Sequence, residues 1–105
     1  MSREVRLSLQ AEAELLRLYD FIVERALSRA APDFALAERA MEAINRGLAL
    51  LEHAAFTCRK AGADPLMREL IIAFGHDGYV ALFEIVDDRT VIVGAVRHQR
   101  EDDYH

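Results

Sequence analysis

The sequence predicts an α+β fold in which an N-terminal strand and a helical hairpin pack on a small, mostly antiparallel sheet that ends in a three-stranded meander. Two observations predict it. Apolar residues recur every three or four positions through most of the first half, and three strand-like apolar runs separated by turn residues fill the second half. With 105 residues, 52% of them hydrophobic and 30% charged, we expect one folded domain over residues 1–105.

The first strand and the first helix are predicted at the N-terminus. The sequence EVRL at Glu4–Leu7 alternates apolar and polar residues, which indicates a short strand. Ser8 then offers a helix N-cap. The helix that follows places apolar residues at spacings of three and four on one face, which we expect to contact the core: Leu15, Leu18, Tyr19, Ile22 and Ala26.

A second helix is predicted after a break at Pro32. Proline disfavours helix at the residue before it, and Asp33 can cap a new helix. The two helices should form an antiparallel hairpin. Its apolar stripe also permits a coiled-coil partner, but fewer than three heptads favour packing within the domain. The stripe consists of Phe34, Ala37, Met41, Ile44, Leu48 and Leu51.

The rest of the chain predicts a loop and an antiparallel meander. Gly62, Asp64 and Pro65 indicate a loop over Thr57–Leu66. The short separators GHDG at Gly75–Gly78 and Asp87-Asp88 are typical of turns between antiparallel strands. The three strands are predicted at Met67–Phe74, Tyr79–Val86 and Thr90–His98.

Both faces of the middle strand are mostly apolar. One face, expected to cover the helical hairpin, holds Tyr79, Ala81, Phe83 and Ile85. The other holds Val80, Leu82, Glu84 and Val86. We expect this second face to leave an exposed apolar surface that a partner or another copy could bury.

Charge and cysteine content narrow the class of protein. The net charge of −5 gives no global cationic field, so nonspecific binding of nucleic acid is disfavoured. The single cysteine, Cys58, cannot form an internal disulfide, which agrees with a reducing compartment. No apolar run approaches the roughly 18 residues of a membrane span, and the first residues do not resemble a signal peptide. We therefore expect a cytoplasmic protein without a membrane partner.

The run TVIVGAVRHQREDDY at Thr90–Tyr104 ends a strand in a dense set of charged and titratable side chains, among them Arg97, His98 and Arg100. His98 is a candidate general base or a structural histidine, and Tyr104 a candidate acid or an aromatic anchor that folds back on the domain. A metal site is not predicted and no cofactor is expected, because the spacing of the possible ligands matches no established pattern. Those residues are His76, Asp77, His98, Asp102 and His105.

Three segments in this order resemble the RelE/ParE superfamily, the toxins of type II toxin–antitoxin systems, and more closely its ParE branch. They are VRLSLQAEAELLRLYDFI at Val5–Ile22, MRELIIAFGHDGYVALFEI at Met67–Ile85, and VIVGAVRHQREDDY at Val91–Tyr104. Together they span nearly the whole chain. The combination of GYVALFEI with a following VRHQRED is the most specific part of the resemblance.

The resemblance implies a cognate, ParD-like antitoxin with a DNA-binding N-terminal half and a C-terminal segment that wraps the toxin. We expect that segment to dock on the second sheet face and across the helices. A heterotetramer with two antitoxins is possible, and the sequence does not rank it against a toxin dimer. The expected antitoxin contacts are Val80, Leu82, Glu84, Val86, Leu15 and Tyr19.

The resemblance also implies two mechanisms. ParE-like members poison DNA gyrase by binding, whereas RelE-like members cleave messenger RNA on the ribosome without a metal. The available ribonuclease set would be Arg68, His98, Arg100 and Tyr104.

Chemistry counts against the ribonuclease, which leaves the gyrase-directed mechanism that the ParE resemblance implies. Metal-free RNA cleavage needs cations for the developing phosphorane charge, yet Val80, Leu82 and Glu84 occupy the middle strand. A carboxylate beside a phosphate repels it. We therefore predict a toxin that is not an enzyme, with Arg97, His98 and Arg100 on its target-binding surface. The ribonuclease is the first alternative, and a non-toxic antitoxin partner or co-repressor is the second.

Overall fold

The computed structural model describes residues 2–28, 31–75 and 77–99. Strand β1 is followed by two helices, a 3₁₀ turn over Ala55–Thr57, and four more strands. The bounds are β1 Glu4–Leu7, α1 Leu9–Leu27, α2 Phe34–Ala54, β2 Arg59–Lys60, β3 Met67–Phe74, β4 Asp77–Ile85 and β5 Thr90–His98. In the described part of the chain these strands form one sheet in the order β1-β5-β4-β3-β2, in which β1 runs parallel to β5 and the remaining neighbours are antiparallel. The predicted α+β class is confirmed.

Both predicted helix caps are confirmed. The Ser8 Oγ accepts a hydrogen bond of 3.0 Å from the Ala11 N–H, and the Asp33 Oδ1 accepts one of 3.0 Å from the Leu36 N–H. Each side chain thereby satisfies a backbone donor that the first helical turn leaves unpaired. The caps set where α1 and α2 begin.

The helical hairpin packs on one face of the sheet. Tyr79, Ala81, Phe83 and Ile85 of β4 are buried there, as predicted. The same core includes Leu18 from α1 and, from α2, Ile44, Leu48 and Leu51. Midway along the hairpin the Tyr19 hydroxyl donates a hydrogen bond of 2.8 Å to the Asn45 Oδ1, which joins the two helices.

The predicted stripe on α2 needs one correction. Phe34 is 55% exposed and Met41 is only partly buried, whereas Ala40 is buried. At 3.6 residues per turn, the buried face is centred on Ala37, Ala40 and Ile44, and Phe34 lies roughly 80° away from that centre. The three-and-four spacing of the stripe therefore drifts away from the core at its N-terminal end.

Strand β2 was not predicted, and β4 runs from Asp77 to Ile85 instead of the predicted Tyr79–Val86. The predicted loop contains β2, whose Arg59 and Lys60 pair with Glu69 and Arg68 of β3. A two-residue edge strand is fixed by main-chain pairing and carries no apolar alternation, so the sequence pattern does not reveal it. Strand β4 begins at Asp77, so only Gly75 and the residue after it separate it from β3. Gly75 has a φ of 61°, the left-handed region that glycine favours in such turns.

No helix in the described ranges is both long enough and apolar enough to cross a membrane.

Candidate functional site

The sheet offers two candidate surfaces. The first is the open edge of β5, meaning residues 94–98, which continue past the last residue that pairs with β1. The second is the outer face of the sheet, meaning the face turned away from α1 and α2. A bulge between Leu82 and Phe83 shapes the first surface, because it pairs Ala95 and Val93 with these residues and leaves Gly94 unpaired.

Helix α1 covers the open edge of β5 with polar side chains. The Ser8 Oγ donates a hydrogen bond of 3.1 Å to the Gly94 carbonyl, and the Val96 N–H donates one of 3.1 Å to the Glu14 Oε1. The other Glu14 oxygen lies 3.7 Å from the Arg97 Nε. Glu14 thus satisfies a strand-edge donor and holds Arg97 in place, and these contacts protect an edge that would otherwise be free to pair with another strand.

Arg97 and His98 lie on opposite faces of the sheet, because successive side chains of a strand alternate. Arg97 is in register with Val80 on the outer face, and its side chain is 31% exposed. His98 is in register with Tyr79 on the helix side, and the two rings meet edge to face with their centroids 5.7 Å apart. The structure therefore brings the predicted target-binding pair to the same strand end but not to the same face. Arg100 lies outside the described residues.

A cavity of about 240 Å³ opens beside His98, between the helical hairpin and the end of the sheet. Its lining includes Ala26, Ala37 and Tyr79, together with the Arg25 side chain, whose guanidinium carbon lies 5.7 Å from the centre of the Phe21 ring. The small alanines leave space that larger residues would fill. His98 therefore borders a mostly apolar hollow on this side.

Arg68, a candidate ribonuclease residue, lies far from His98 at the end of β5. Its Nε donates a hydrogen bond of 2.7 Å to the Pro65 carbonyl, and its Nη1 donates bonds of 2.8 and 3.3 Å to the carbonyls of Cys58 and Phe56. In register, Arg68 is four residues along the sheet and two strands across from His98, which separates their backbones by roughly 16 Å. Arg68 thus stabilises the loop before β3, and Tyr104, the other ribonuclease candidate, lies outside the described residues.

Of the predicted antitoxin contacts on the sheet, Glu84 and Val86 are exposed and Leu82 is half-buried. Val80 is only 2% exposed, so it contributes little accessible surface in the free chain. It lies at the centre of the face, in register between Ile71 and Arg97.

Two exposed residues of β3 belong to the same face and were not anticipated. Met67 is in register with Glu84, and Ile71 with Val80. Because side chains alternate along a strand, Met67 and Ile71, four residues apart, lie on the same face of β3, and this spacing is visible in the sequence.

The predicted antitoxin contacts on α1 face the core instead of the solvent. Leu15 and Tyr19 are partly buried against the core cluster. Burial raises the pKa of the Tyr19 hydroxyl, and the hydrogen bond to Asn45 opposes that rise. Within the free chain these two side chains therefore pack the hairpin against the sheet.

In the described ranges no three histidine, cysteine or acidic side chains come together in a group that could hold a metal ion. Burial raises the pKa of the Cys58 thiol, while the nearby Arg68 charge opposes the rise. A thiol with a raised pKa forms less of the reactive thiolate at neutral pH. Cys58 thus has the environment of a packing residue.

Comparison with known proteins gives consistent matches over nearly the whole chain. The profile of the family described as ParE toxin of type II toxin-antitoxin system, parDE, matches residues 5–103. Toxin RelE3 of Caulobacter vibrioides is 31% identical over 100 residues, which cover 94% of this chain and 97% of that protein. A chain from the chromosomal ParDE TA system of P. aeruginosa shares the fold with a TM-score of 0.65 at 16% sequence identity, covering 92% of this chain and 96% of its own length.

Proposed function

This chain belongs to the ParE toxin family of type II toxin–antitoxin systems, and from that premise we propose that it arrests growth by binding DNA gyrase and cleaves no RNA. In this proposal a cognate, ParD-like antitoxin neutralises it in the cytoplasm. The toxin acts through a contact surface, and gyrase itself performs the DNA chemistry.

The observation that carries the proposal is the separation of the two described ribonuclease candidates. Arg68 donates three hydrogen bonds to backbone carbonyls. His98 lies at the end of the sheet opposite to Arg68. Phosphoryl chemistry needs an acid, a base and cations within a few ångströms of the same phosphate. Between the register positions of these two residues β4 carries Val80, Ala81 and Leu82, which add no basic side chain. This arrangement supports a toxin that binds its target.

The open edge of β5 is the proposed contact with gyrase, through Arg97 and His98 and the neighbouring Arg100. The Arg97 guanidinium contacts Glu14 through Nε at 3.7 Å, and its side chain remains 31% exposed. Its other nitrogens are thus positioned to bind a carboxylate or carbonyl of a partner. A fixed arginine loses less side-chain entropy on binding than a free one.

The outer face of the sheet is the proposed dock for the antitoxin, which brings a DNA-binding N-terminal half of its own. Exposed apolar residues on this face, among them Ile71, Met67 and Val86, favour burial by a partner. A heterotetramer with two antitoxins is the proposed assembly of the neutralised complex.

Purified toxin tests the proposal in a gyrase supercoiling assay. We expect loss of supercoiling and accumulation of cleaved DNA at micromolar toxin. Arg97→Ala should weaken both effects, whereas Arg46→Ala, which removes an exposed arginine of α2, should leave them unchanged. Absence of any effect on gyrase, with antitoxin binding intact, would count against the proposal.

A ribonuclease remains the second candidate, because the relative at 31% identity is named as a RelE toxin. Primer extension on messenger RNA after induction distinguishes the two. Codon-linked cuts that vanish on His98→Ala would favour the ribonuclease. Unimpaired growth after induction without antitoxin would instead favour a non-toxic antitoxin partner or co-repressor.

A further inference from the structure

Helix α1 carries a second apolar stripe on the side that does not face the core. Its six positions, five apolar and one aspartate, follow each other at spacings of 4, 3, 4, 3 and 4, the pattern of a coiled-coil seam. All six are exposed, including Leu9 at 86% and Leu16 at 64%. These residues, called the α1 seam below, are Leu9, Ala13, Leu16, Asp20, Val23 and Leu27.

The α1 seam is not needed for the fold of the single chain. At 3.6 residues per turn it lies roughly 180° around the helix from the buried Leu18, and roughly 130° from the centre of the whole core-facing side. An amphipathic helix has one apolar stripe for its own core, so a second stripe of exposed leucines is suited to contact with another molecule.

We propose that the α1 seam pairs with the α1 seam of a second copy of this chain, with the two helices antiparallel. In that arrangement Leu9 lies opposite Leu27 of the second copy, and Ala13 opposite Val23. A twofold axis that crosses the two helices at the level of Leu18 thus relates one copy to the other. The smallest seam residue, Ala13, then packs against the larger Val23 of the second copy.

Charge selects the antiparallel orientation and the second copy as occupant. A parallel pair would place Asp20 against Asp20 of the other copy, and like charges at the seam repel. In the antiparallel pair Asp20 lies beside Leu16 and Arg17 of the other copy, so two equivalent Arg17–Asp20 ion pairs can form across the axis. In the described ranges neither Arg17 nor Asp20 has an ion pair or side-chain hydrogen bond within its own chain.

The pairing goes beyond the proposed function and does not depend on it, because it involves neither gyrase nor an antitoxin. It uses the exposed side of α1, whereas the open edge of β5 and the outer face of the sheet lie elsewhere. A dimer would therefore present two copies of the proposed target-binding edge.

Sedimentation velocity on toxin made by cell-free synthesis tests the pairing between about 1 and 100 µM, which corresponds to a free energy of association of about 5.5–8 kcal/mol. We expect the mass to rise with concentration toward twice the 11.9 kDa of the chain. Leu16→Glu should raise the dissociation constant by about 100-fold, because the dimer loses two seam leucines. Leu50→Glu, at an exposed leucine of α2 outside the seam, should leave it unchanged.

A charge exchange and a cross-link test the orientation. Asp20→Arg alone should weaken the dimer, and combination with Arg17→Asp should restore it. In a Cys58→Ser background, copies with Ala13→Cys should cross-link to copies with Val23→Cys far faster than to themselves, since a disulfide needs Cα atoms within about 7 Å.

A monomer at every concentration, or a dimer that Leu16→Glu leaves intact, would overturn the proposal. If the chain is monomeric and Leu16→Glu abolishes antitoxin binding, the seam belongs to a partner helix and the second copy is the wrong occupant. Circular dichroism of each variant shows whether it is folded.

Discussion

Replacing Glu14 by alanine should destabilise the fold through the open edge of β5. Glu14 accepts the Val96 N–H at 3.1 Å and contacts Arg97 at 3.7 Å. A hydrogen bond to a charged acceptor contributes about 1.5–3 kcal/mol, and a partly exposed ion pair at most about 1 kcal/mol. Alanine is a slightly better helix former than glutamate, which offsets part of the loss. We expect the free energy of unfolding to fall by about 2 kcal/mol.

Arg97→Ala should cost far less, about 0.5 kcal/mol, because it removes the ion pair and leaves the Val96 N–H bonded to Glu14. Glu14→Gln is the matched control, since its amide oxygen can still accept that N–H without the charge. We expect a loss of about 1 kcal/mol for this variant. The three values together separate the strand-edge hydrogen bond from the ion pair.

Urea unfolding followed by far-ultraviolet circular dichroism measures these differences. With an m-value of about 1.5 kcal/mol/M for a domain of this size, Glu14→Ala should lower the midpoint by about 1.3 M and Arg97→Ala by about 0.3 M. Equal losses for the two variants, or a loss below about 0.5 kcal/mol for Glu14→Ala, would show that Glu14 does not stabilise the edge in this way.

Three further predictions concern other parts of the molecule. A Cβ on Gly78 would overlap the Ile72 carbonyl oxygen, whereas a Cβ on Gly47 would lie 2.8 Å from side-chain atoms of Ile72, which can move. In thermal unfolding Gly78→Ala should therefore cost more, about 3 kcal/mol, than Gly47→Ala at about 1 kcal/mol; the reverse order would contradict the assigned contacts. Arg68→Lys should cost about 2 kcal/mol in urea unfolding and leave gyrase inhibition per folded molecule unchanged, and selective loss of inhibition would place Arg68 in the functional surface. Because burial raises the folded-state pKa of Cys58, the unfolded chain loses this proton first, so stability should fall as pH rises above about 8.5, and Cys58→Ala should remove that part of the decline.

Most of the fold could be predicted because the signals that specify it are local. The caps at Ser8 and Asp33, the strand bounds of β3 and β5 and the inward face of β4 follow from capping chemistry and apolar periodicity. What could not be predicted depends on pairing between separate segments, which leaves no pattern within either segment. Strand β2 exists through its bonds to β3, and the parallel pairing of β1 with β5 joins the two ends of the chain.

The candidate site was less predictable than the fold. The contact of Glu14 with Val96 and Arg97 depends on the bulge at Gly94 and on the angle at which α1 crosses the sheet, neither of which has a periodic signal. A glycine inside a strand is the only trace of the bulge in the sequence. Arg97 and His98 were predicted on one target-binding surface, although alternation along β5 places them on opposite faces. The three carbonyl contacts of Arg68 have no such signal in the sequence.

The sequence of α1 contains two apolar stripes, and periodicity alone does not show which of them remains exposed. The inward stripe was evident because it is the more continuous, and it was assigned to the core correctly. The α1 seam was overlooked because Asp20 interrupts it and because one helix seldom needs two apolar faces. Its exposure follows from the side of α1 that packs on the sheet.

Mapping of DNA breaks and messenger RNA ends in the same induced culture tests the central claim most directly. The account predicts growth arrest with gyrase-linked DNA breaks, no new codon-linked RNA ends, and loss of the breaks in Arg97→Ala at unchanged protein level. Codon-linked RNA ends without DNA breaks would contradict it and would establish the ribonuclease instead.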